Sequence, residues 1–235
     1  MLTTTKTTPE RILEAAGEIF SRDGFKTATI RRIATVARAN VASINYHYRD
    51  KEGLYAAVLE DLFQKGFSRF PATMGVEPGA PPEVRLRAFI RGMFHRLLSR
   101  EGWAGLSGQG RLIAREFLEP TPSFEPIIEK YIKPHKVILA SILTELLGGT
   151  PPPEILGPSA LSVIGQCIYY ALGAPVIRRI SEDSSPTEEN LDRLAAFVWQ
   201  FPLGGIERIR ANRQPSTAGQ PAGHDPVQKY LKEKS

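Results

Sequence analysis

Cysteine is almost absent from the sequence: Cys167 is the one example in 235 residues. A single cysteine excludes an internal disulfide framework and a metal site built on a cysteine cluster. Cys167 is best interpreted as a small buried apolar residue. The four histidines are scattered, and the sequence contains no paired histidine motif, no phosphate-binding glycine loop and no nucleophile-elbow serine. We therefore expect no catalytic residue, no metal ligand and no cofactor.

Long apolar runs and strand-like alternation are missing as well. No unbroken apolar run reaches the ~18–20 residues of a membrane span, and the Thr-rich start of the chain has no apolar signal core. These absences predict a cytoplasmic protein without a membrane partner. Nearly every periodic segment follows the i, i+3, i+4 spacing of an amphipathic helix. The fold class predicted is all-α.

The predicted helices divide the chain into two domains and a tail. A three-helix unit and a fourth, linking helix occupy residues 7–67, and a larger helical domain occupies residues 83–212. The Pro/Gly-rich stretch 71–82 is a predicted loop, and residues 213–235 form a predicted disordered tail. The predicted helices span about 9–23, 30–37, 41–48, 51–70, 83–100, 106–118, 123–147 (kinked or split at Pro134), 158–180 and 187–211 (bent near Pro202 and Gly204–Gly205).

The net charge of +5 is less informative than its distribution. Between Lys26 and Lys51 the chain carries six basic residues and one acid, Asp50, so that this stretch alone nets +5. A short basic region predicts a polyanion partner for that region. A solvated charged face is the alternative, and charge alone does not decide between them.

Residues 29–54 carry the functional signal. Two short helices, joined by a turn of about four residues from Arg38 to Val41, are predicted to pack on the first helix as a helix-turn-helix. The second helix of such a pair enters the major groove of double-stranded DNA. On a helical wheel Val41, Ile44 and Tyr48 point to the core, whereas Ala42, Ser43 and Tyr46 point outward.

The outward face has the chemistry of base and phosphate recognition. Small residues permit close approach, asparagine pairs with adenine edges, and an aromatic surface meets the thymine methyl. Tyr48 is interpreted as core, His47 as a DNA contact or a cap, and Lys51 as a phosphate contact or merely a helix opening. The predicted DNA-binding residues are Thr29, Arg31, Arg32, Val41, Ala42, Ser43, Asn45, Tyr46, His47 and Lys51.

Several motifs together resemble the DNA-binding domain of the TetR family. They are RILEAAGEIFSRDGF in the first helix, the T-I-R-x-I-A opening at Thr29, NYHY at the end of the recognition helix, and K-E-G-L at Lys51. The resemblance implies a regulator, by default a repressor, that binds a palindromic operator as a dimer. The sequence ASINYHY and the stretch Ala114–Pro120 resemble the corresponding sequences of the CecR/YbiH-like subgroup. Arg38 departs from the family's usual glycine and would cost about 1 kcal/mol in a left-handed conformation, and Asn45 replaces the family's usual tyrosine.

The C-terminal domain is predicted to dimerise and to bind an unknown small-molecule effector. Its last two helical segments, 158–180 and 187–211, are apolar over much of their surface, and the resemblance implies a four-helix bundle made by two copies. A monomeric core is the alternative. Polar and aromatic residues in apolar segments are candidates for the effector site, although each could instead be a surface pair or core residue: Trp103, Arg111, Arg115, Glu116, His135, Gln166, Tyr169 and Tyr170.

Two other classes of function compete with a regulator. One is an all-helical enzyme, against which the missing catalytic motifs argue. The other is a helical binding module that does not bind DNA, against which the basic, aromatic helix-turn-helix argues. Salt-dependent, sequence-selective DNA binding distinguishes a regulator from both.

Overall fold

A computed structural model describes residues 6–103, 109–180 and 187–213, and all regular structure within these ranges is helical. The all-α prediction is confirmed. The predicted start of the 106–118 helix and the tail beyond residue 213 lie outside the described residues. The helices are α1 (Thr8–Asp23), α2 (Ile30–Ala37), α3 (Val41–Tyr48), α4 (Lys51–Arg69), α5 (Pro82–Leu98), α6 (Gly110–Leu118), α7 (Glu125–Ile127), α8 (Lys133–Leu146), α9 (Pro153–Leu172), α10 (Ala174–Ile180), α11 (Glu188–Val198) and α12 (Gln200–Arg213).

Helices α1 to α4 form the N-terminal unit around one apolar core. Ile12, Phe20, Ile33 and Ile44 are fully buried there, each on the inward stripe of its helix. Helices α2, α3 and α4 each begin after a side-chain N-cap. The side chains of Thr29, Asn40 and Asp50 each accept a hydrogen bond from the backbone N–H of the residue three positions later. Such caps satisfy donors that an α-helix leaves free at its start. Three helices can therefore begin within the 22 residues from Ile30 to Lys51.

The prediction that Val41 faces the core is wrong. Val41 was predicted to face inward with Ile44 and Tyr48, but its side chain is 38% exposed, whereas Ile44 is 0% exposed. Tyr48 is half-buried and its hydroxyl donates to the carbonyl of Pro9, which holds α3 against the start of α1. Val41 is the first residue of a two-turn helix. Only the residue one turn further, Ile44, reaches the enclosed part of the core.

Arg38 closes α2 in the left-handed conformation, with φ 50° and ψ 47°. Its N–H donates to the carbonyl of Thr35, and the N–H of Ala39 donates to the carbonyl of Ala34. This pair of hydrogen bonds is the Schellman ending of a helix, which favours glycine at the left-handed position. The sequence-based concern about Arg38 is thus confirmed, since an L side chain stands where glycine is favoured.

The Arg38→Gly variant is expected to raise the free energy of unfolding by about 1 kcal/mol, because glycine adopts this conformation without a steric penalty. Chemical denaturation monitored by circular dichroism measures the change. Arg31→Gly is the matched control, since Arg31 is an exposed arginine of the same helix in right-handed conformation. That substitution is expected to lower stability by about 1 kcal/mol. Equal effects of the two changes would contradict the assignment.

The C-terminal domain has a second apolar core, built mainly by α5, α8, α9, α11 and α12. The first core does not end with α4. It continues into residues that follow α5, and Trp103, Ile113, Phe124 and Tyr131 belong to it. The second half of α4 is therefore packed against the C-terminal domain as well as against the N-terminal helices. Helix α4 therefore connects the N-terminal unit to the C-terminal domain through packing contacts with both.

Three predicted helices have different bounds in the structure. Residues 123–147 are split: π-helix spans Ile128–Ile132 and α8 follows it, so the wider turn precedes Pro134, which has no N–H to donate. Helix α9 begins at Pro153, five residues before the predicted start, and contains Pro158. The last predicted helix breaks at Trp199, not at Pro202, and Pro202 lies in the first turn of α12. Arg213 is the last residue of α12 and not the first of a tail.

Helix α9 is apolar and mostly uncovered. By length and composition alone it could cross a membrane, although only 17% of its apolar window is buried within the chain. No unbroken apolar run marks this helix in the sequence, because residues such as Pro158, Gly165 and Gln166 interrupt the run. Leu161 is 70% and Tyr169 66% exposed on this helix. Such a surface needs a covering partner.

Candidate nucleic-acid interface and effector site

Helix α3 turns a continuous face toward solvent. Tyr46 is 84% exposed, and Ala42, Asn45 and His47 are exposed beside it. The rings of Tyr46 and His47 meet edge to face, with their centroids 5.0 Å apart. Ser43 is half-buried, and its backbone N–H donates to the side-chain oxygen of Asn40. The structure thus brings small, amide and aromatic groups together on one exposed helix.

The basic residues near this face are held to different degrees. Arg31 is exposed, and Arg32 is exposed with an ion pair from its Nη1 to Asp23 Oδ2 at 2.7 Å. Lys51 is half-buried: its ammonium group lies 4.5 Å from the ring centroid of Phe25 and donates to the carbonyl of Ala28. Thr29 is exposed, but its hydroxyl oxygen already caps α2. Arg31 is consequently freer to reach a phosphate than Arg32 or Lys51.

The corner between α3 and α4 is tight. Arg49 has φ 69° and ψ −60°, and the N–H of Asp50 donates to the carbonyl of Tyr48 at 2.9 Å, which makes a strained three-residue turn. A Cβ at Gly53 would collide with that same carbonyl. Only glycine fits at Gly53, so the K-E-G-L motif has a steric reason. This corner fixes the direction of α3 relative to α4.

The candidate effector residues fall into three groups. Trp103 and His135 lie close together around Phe67, at ring-centroid distances of 5.9 Å and 4.1 Å from it. Trp103 is buried and its indole N–H donates to the carbonyl of Leu62. The Nδ1 of His135 lies 2.8 Å from the carbonyl oxygen of Tyr131. Burial, and after it the charge of nearby Arg96, lowers the pKa of His135 to about 4. His135 is therefore neutral at pH 7.

The second group, on α6, faces the N-terminal unit. Arg115 donates from Nη1 to the carbonyl of Phe20 at the end of α1, at 3.3 Å. Glu116 is 1% exposed and accepts hydrogen bonds from the Tyr55 hydroxyl and from the N–H of Thr121. Burial and this carboxylate raise the pKa of Tyr55. These two residues join α6 to α1 and α4, and Arg111, one turn earlier on α6, is exposed.

The third group lies on α9. Tyr169 is 66% exposed, whereas Tyr170 is half-buried with its ring 5.4 Å from that of Phe94. Gln166 donates from Nε2 to the carbonyl of Ser162 on its own helix. The eight candidate residues thus do not surround one space. Trp103 and His135 share a neighbour, and the others are distributed between α6 and α9.

Sequence reasoning missed Arg96 of α5, which is 3% exposed. It donates from Nη1 to the carbonyl of Phe70, and its guanidinium lies 4.4 Å from the ring centroid of Phe67. A signal was present: residues 89, 92, 93 and 96 follow the i, i+3, i+4, i+7 pattern, so Arg96 shares the stripe of Phe89 and Met93. A charged residue on the core stripe of a helix is thus the sequence signal that indicates Arg96.

Two protein families match separate parts of the chain, and neither match includes residues 59–81, which are the second half of α4 and the loop after it. Residues 12–58 match the family described as bacterial regulatory proteins, tetR family. Residues 82–206 match the C-terminal domain of the HTH-type transcriptional dual regulator CecR. The second match covers more than half of the chain. The two matches together span α2, α3 and most of the C-terminal domain.

Curated relatives include regulators from several bacteria. The chain is 28% identical to the HTH-type transcriptional dual regulator CecR of Shigella flexneri over 178 residues, which is 72% of this chain and 77% of that protein. It is 35% identical to the HTH-type transcriptional repressor NicS of Pseudomonas putida over 83 residues. That match covers 35% of this chain and 38% of NicS, so the chain spans well under half the length of that relative.

Solved structures share the fold. The transcriptional regulator FadR from Bacillus subtilis in complex with stearoyl-CoA has a TM-score of 0.61 at 18% identity, covering 83% of this chain and 97% of that one. AibR in complex with isovaleryl coenzyme A and operator DNA has a TM-score of 0.59 at 22% identity, covering 83% and 99%. At these identities the likeness shows a common architecture of helices.

Proposed function

The chain belongs to the TetR family of bacterial regulatory proteins, with a C-terminal domain of the CecR type, and from this premise we propose that it is a dimeric repressor released from its operator by a small molecule. A DNA-binding transcriptional regulator is what the family and the relatives have in common. Because the members of this family are transcriptional regulators, we assign no enzymatic activity to the chain. We also place the protein in the cytoplasm, where the DNA lies.

The exposed face of α3 is the observation that carries the proposal. In the proposed complex this face enters the major groove, with Tyr46 and Asn45 at base edges and Ala42 permitting close approach. Arg31 and the helix N-termini bind phosphates and set the register. Thr29, Arg32, Val41, Ser43, His47 and Lys51 complete the interface as proposed contacts. The operator complex of AibR, a protein of the same fold, supports this use of the architecture.

The dimer is proposed to form through α9 to α12. Large apolar side chains on these helices are exposed in the single chain: Leu161 70%, Tyr169 66%, Leu172 43%, Val176 58%, Ile180 78%, Phe197 56% and Phe201 61%. A second copy would cover this surface and would place two α3 helices for two half-sites. A palindromic operator follows from that symmetry.

The effector is proposed to bind in the C-terminal domain. The titles of the FadR and AibR structures each name an acyl-coenzyme A ligand, which supports a small-molecule site in this architecture. Trp103 and His135 are the proposed contacts that share a location. Arg111, Arg115, Glu116, Gln166, Tyr169 and Tyr170 stay candidates, with Arg115 and Glu116 placed to transmit a change to α1 and α4.

The proposed function is tested by a mobility shift with the DNA upstream of the chain's own gene. Retarded complexes should survive excess competitor DNA and should weaken steeply between about 50 and 200 mM salt. The salt slope counts the phosphates that are neutralised. Binding without sequence selectivity, or a slope near zero, would rule out an operator-binding regulator.

The Tyr46→Ala variant is expected to weaken operator binding by about 10–100-fold, because one base-edge contact is lost. Binding to unrelated DNA should stay nearly the same, since Tyr46 carries no charge. Fluorescence anisotropy with operator and scrambled duplexes measures both, and circular dichroism checks the helical content. Phe117→Ala is the matched control: Phe117 is 43% exposed on α6. Undiminished operator affinity of Tyr46→Ala would remove Tyr46 from the interface.

A further inference from the structure

Arg96 differs from two other buried ionisable side chains, His95 and Glu116. The imidazole of His95 lies 2.7 Å from Asp192, and Glu116 accepts hydrogen bonds from Tyr55 and Thr121. Arg96 makes no ion pair with any carboxylate in the described ranges 6–103, 109–180 and 187–213. A buried charge without a counterion is costly, and proteins normally pair it.

The surroundings of Arg96 offer little compensation. Its hydrogen bond within the described residues runs from Nη1 to the carbonyl of Phe70. No Arg96 nitrogen is among the fully enclosed side-chain atoms without a partner, which in the described residues are Ser21 Oγ and Ser99 Oγ, so the donors that Phe70 does not use keep some access. The groups nearest to it are neutral. Burial raises the pKa of the Cys167 thiol to about 12, and His135 is uncharged at pH 7 because its own pKa is lowered. Burial holds the pKa of Arg96 below its usual range as well.

The position of Arg96 is central to the C-terminal domain. It projects from α5 between the end of α4, where Phe67 and Phe70 contact it, and the side of α8 and α9 that carries His135 and Cys167. One face of the guanidinium lies against the ring of Phe67, which in turn stacks with Tyr131 at a centroid distance of 5.4 Å. A flat fork of donors beside aromatic rings is suited to a planar, partly apolar anion.

From this geometry we infer that Arg96 anchors the carboxylate of a small organic acid, which is the effector of the proposed regulator. One guanidinium balances one negative charge, so a monocarboxylate fits, whereas a phosphate monoester would bring a second charge with no cation to meet it. The carboxylate forms two parallel hydrogen bonds with the fork, and the apolar part of the acid lies against Phe67 and His135. The inference depends on the proposed ligand-released function for its biological role, but binding itself is measurable without DNA.

The binding also has a defined route to the DNA-binding helices. Phe70 follows directly after α4, and its carbonyl accepts a hydrogen bond from Arg96. A carboxylate competes for the same guanidinium and weakens that hydrogen bond. The C-terminal end of α4 is then less tightly tied to α5. Since α4 begins at the corner that orients α3, the acid acts on the helix that links both sites.

Thermal unfolding of the full-length protein tests the site with defined probes. Benzoate and hexanoate at millimolar concentration are expected to raise the Tm by about 2 °C or more. Benzamide and hexanamide, which have the same shape without the charge, and phenyl phosphate should leave it unchanged. The Arg96→Met variant should lose the response, and Arg87→Met, an exposed arginine of the same helix, should keep it. Arg96→Lys keeps the charge without the fork and should respond more weakly.

The Tm of the unliganded Arg96→Met variant gives a second test, because a purely structural role of Arg96 predicts a lower Tm. If Arg96 serves binding, Arg96→Met removes an unpaired buried charge and its Tm should equal or exceed that of the native chain. A carboxylate response that survives in Arg96→Met, or no difference between acids and amides in the native chain, would overturn the inference. Operator binding by the unliganded protein is scored separately, so a failure of the proposed function would show there and not in the unfolding data.

Discussion

Replacing Phe197 and Phe201 together by glutamate is expected to give a folded monomer that binds the operator at least about a hundredfold more weakly. The two rings are 5.3 Å apart, at the end of α11 and the start of α12, and both are more than half exposed. Glutamates there place like charges from two copies against one another across a surface that must exclude water. A monomer has one α3 helix and reads one half-site, which is too short for selective binding.

Analytical ultracentrifugation measures the oligomeric state of this double variant, and anisotropy measures its affinity for the full operator and for a single half-site. The control is Val137→Glu, an equally exposed apolar residue of α8 at 68% exposure. That variant should stay a dimer with native affinity. A double variant that remains dimeric would place the interface elsewhere, and a monomer with native affinity would remove the need for two half-sites.

The Phe63→Ala variant is expected to lower the free energy of unfolding by about 3–5 kcal/mol. Phe63 is fully buried in α4, and its ring meets those of Phe67, Trp103, Phe124 and Tyr131 within 6 Å. Truncation leaves a cavity where the N-terminal core continues into the C-terminal domain. Because rigid neighbours from four segments surround it, the site cannot collapse to fill the space.

Calorimetry should show the loss as a fall in Tm of roughly 10 °C. Phe63→Leu, which keeps most of the volume, is expected to lose less than half as much. Phe117→Ala removes a partly exposed phenylalanine that also contacts Phe124, and it should cost about 1 kcal/mol or less. Similar losses for Phe63→Ala and Phe117→Ala would show that the junction is not tightly packed.

The DNA-binding unit was largely predictable because its signals are local. Caps at Thr29 and Asn40, the left-handed Arg38 and the exposed face around Tyr46 all depend on residues within a few positions of each other. Helical periodicity carries that information directly. The exposure of Val41 was not predicted, because helical periodicity takes no account of helix ends. Helix α3 has only two turns, and Val41 is its first residue.

The surroundings of the candidate effector residues and of Arg96 were far less predictable, because their neighbours come from distant parts of the chain. Glu116 meets Tyr55 across 61 positions, and Arg96 meets Phe70 across 26. No pattern within one helix reports such pairs. The π-helical turn before Pro134 is a compromise between a missing N–H and tertiary packing, which propensity alone does not resolve. The pattern of polar residues in apolar segments also does not indicate burial, since it includes the exposed Tyr169 as well as the buried Glu116.

The uncovered flank of α9 has a consequence for how the gene's output would respond to protein supply. If the copy that covers Leu161 and Tyr169 is needed before two half-sites can be read, occupancy of the promoter depends on the square of the subunit concentration when subunits are scarce. A halving of synthesis would then lower occupancy about fourfold by mass action. Promoter occupancy would therefore respond more steeply to the subunit concentration than it would for a regulator that binds DNA as a monomer.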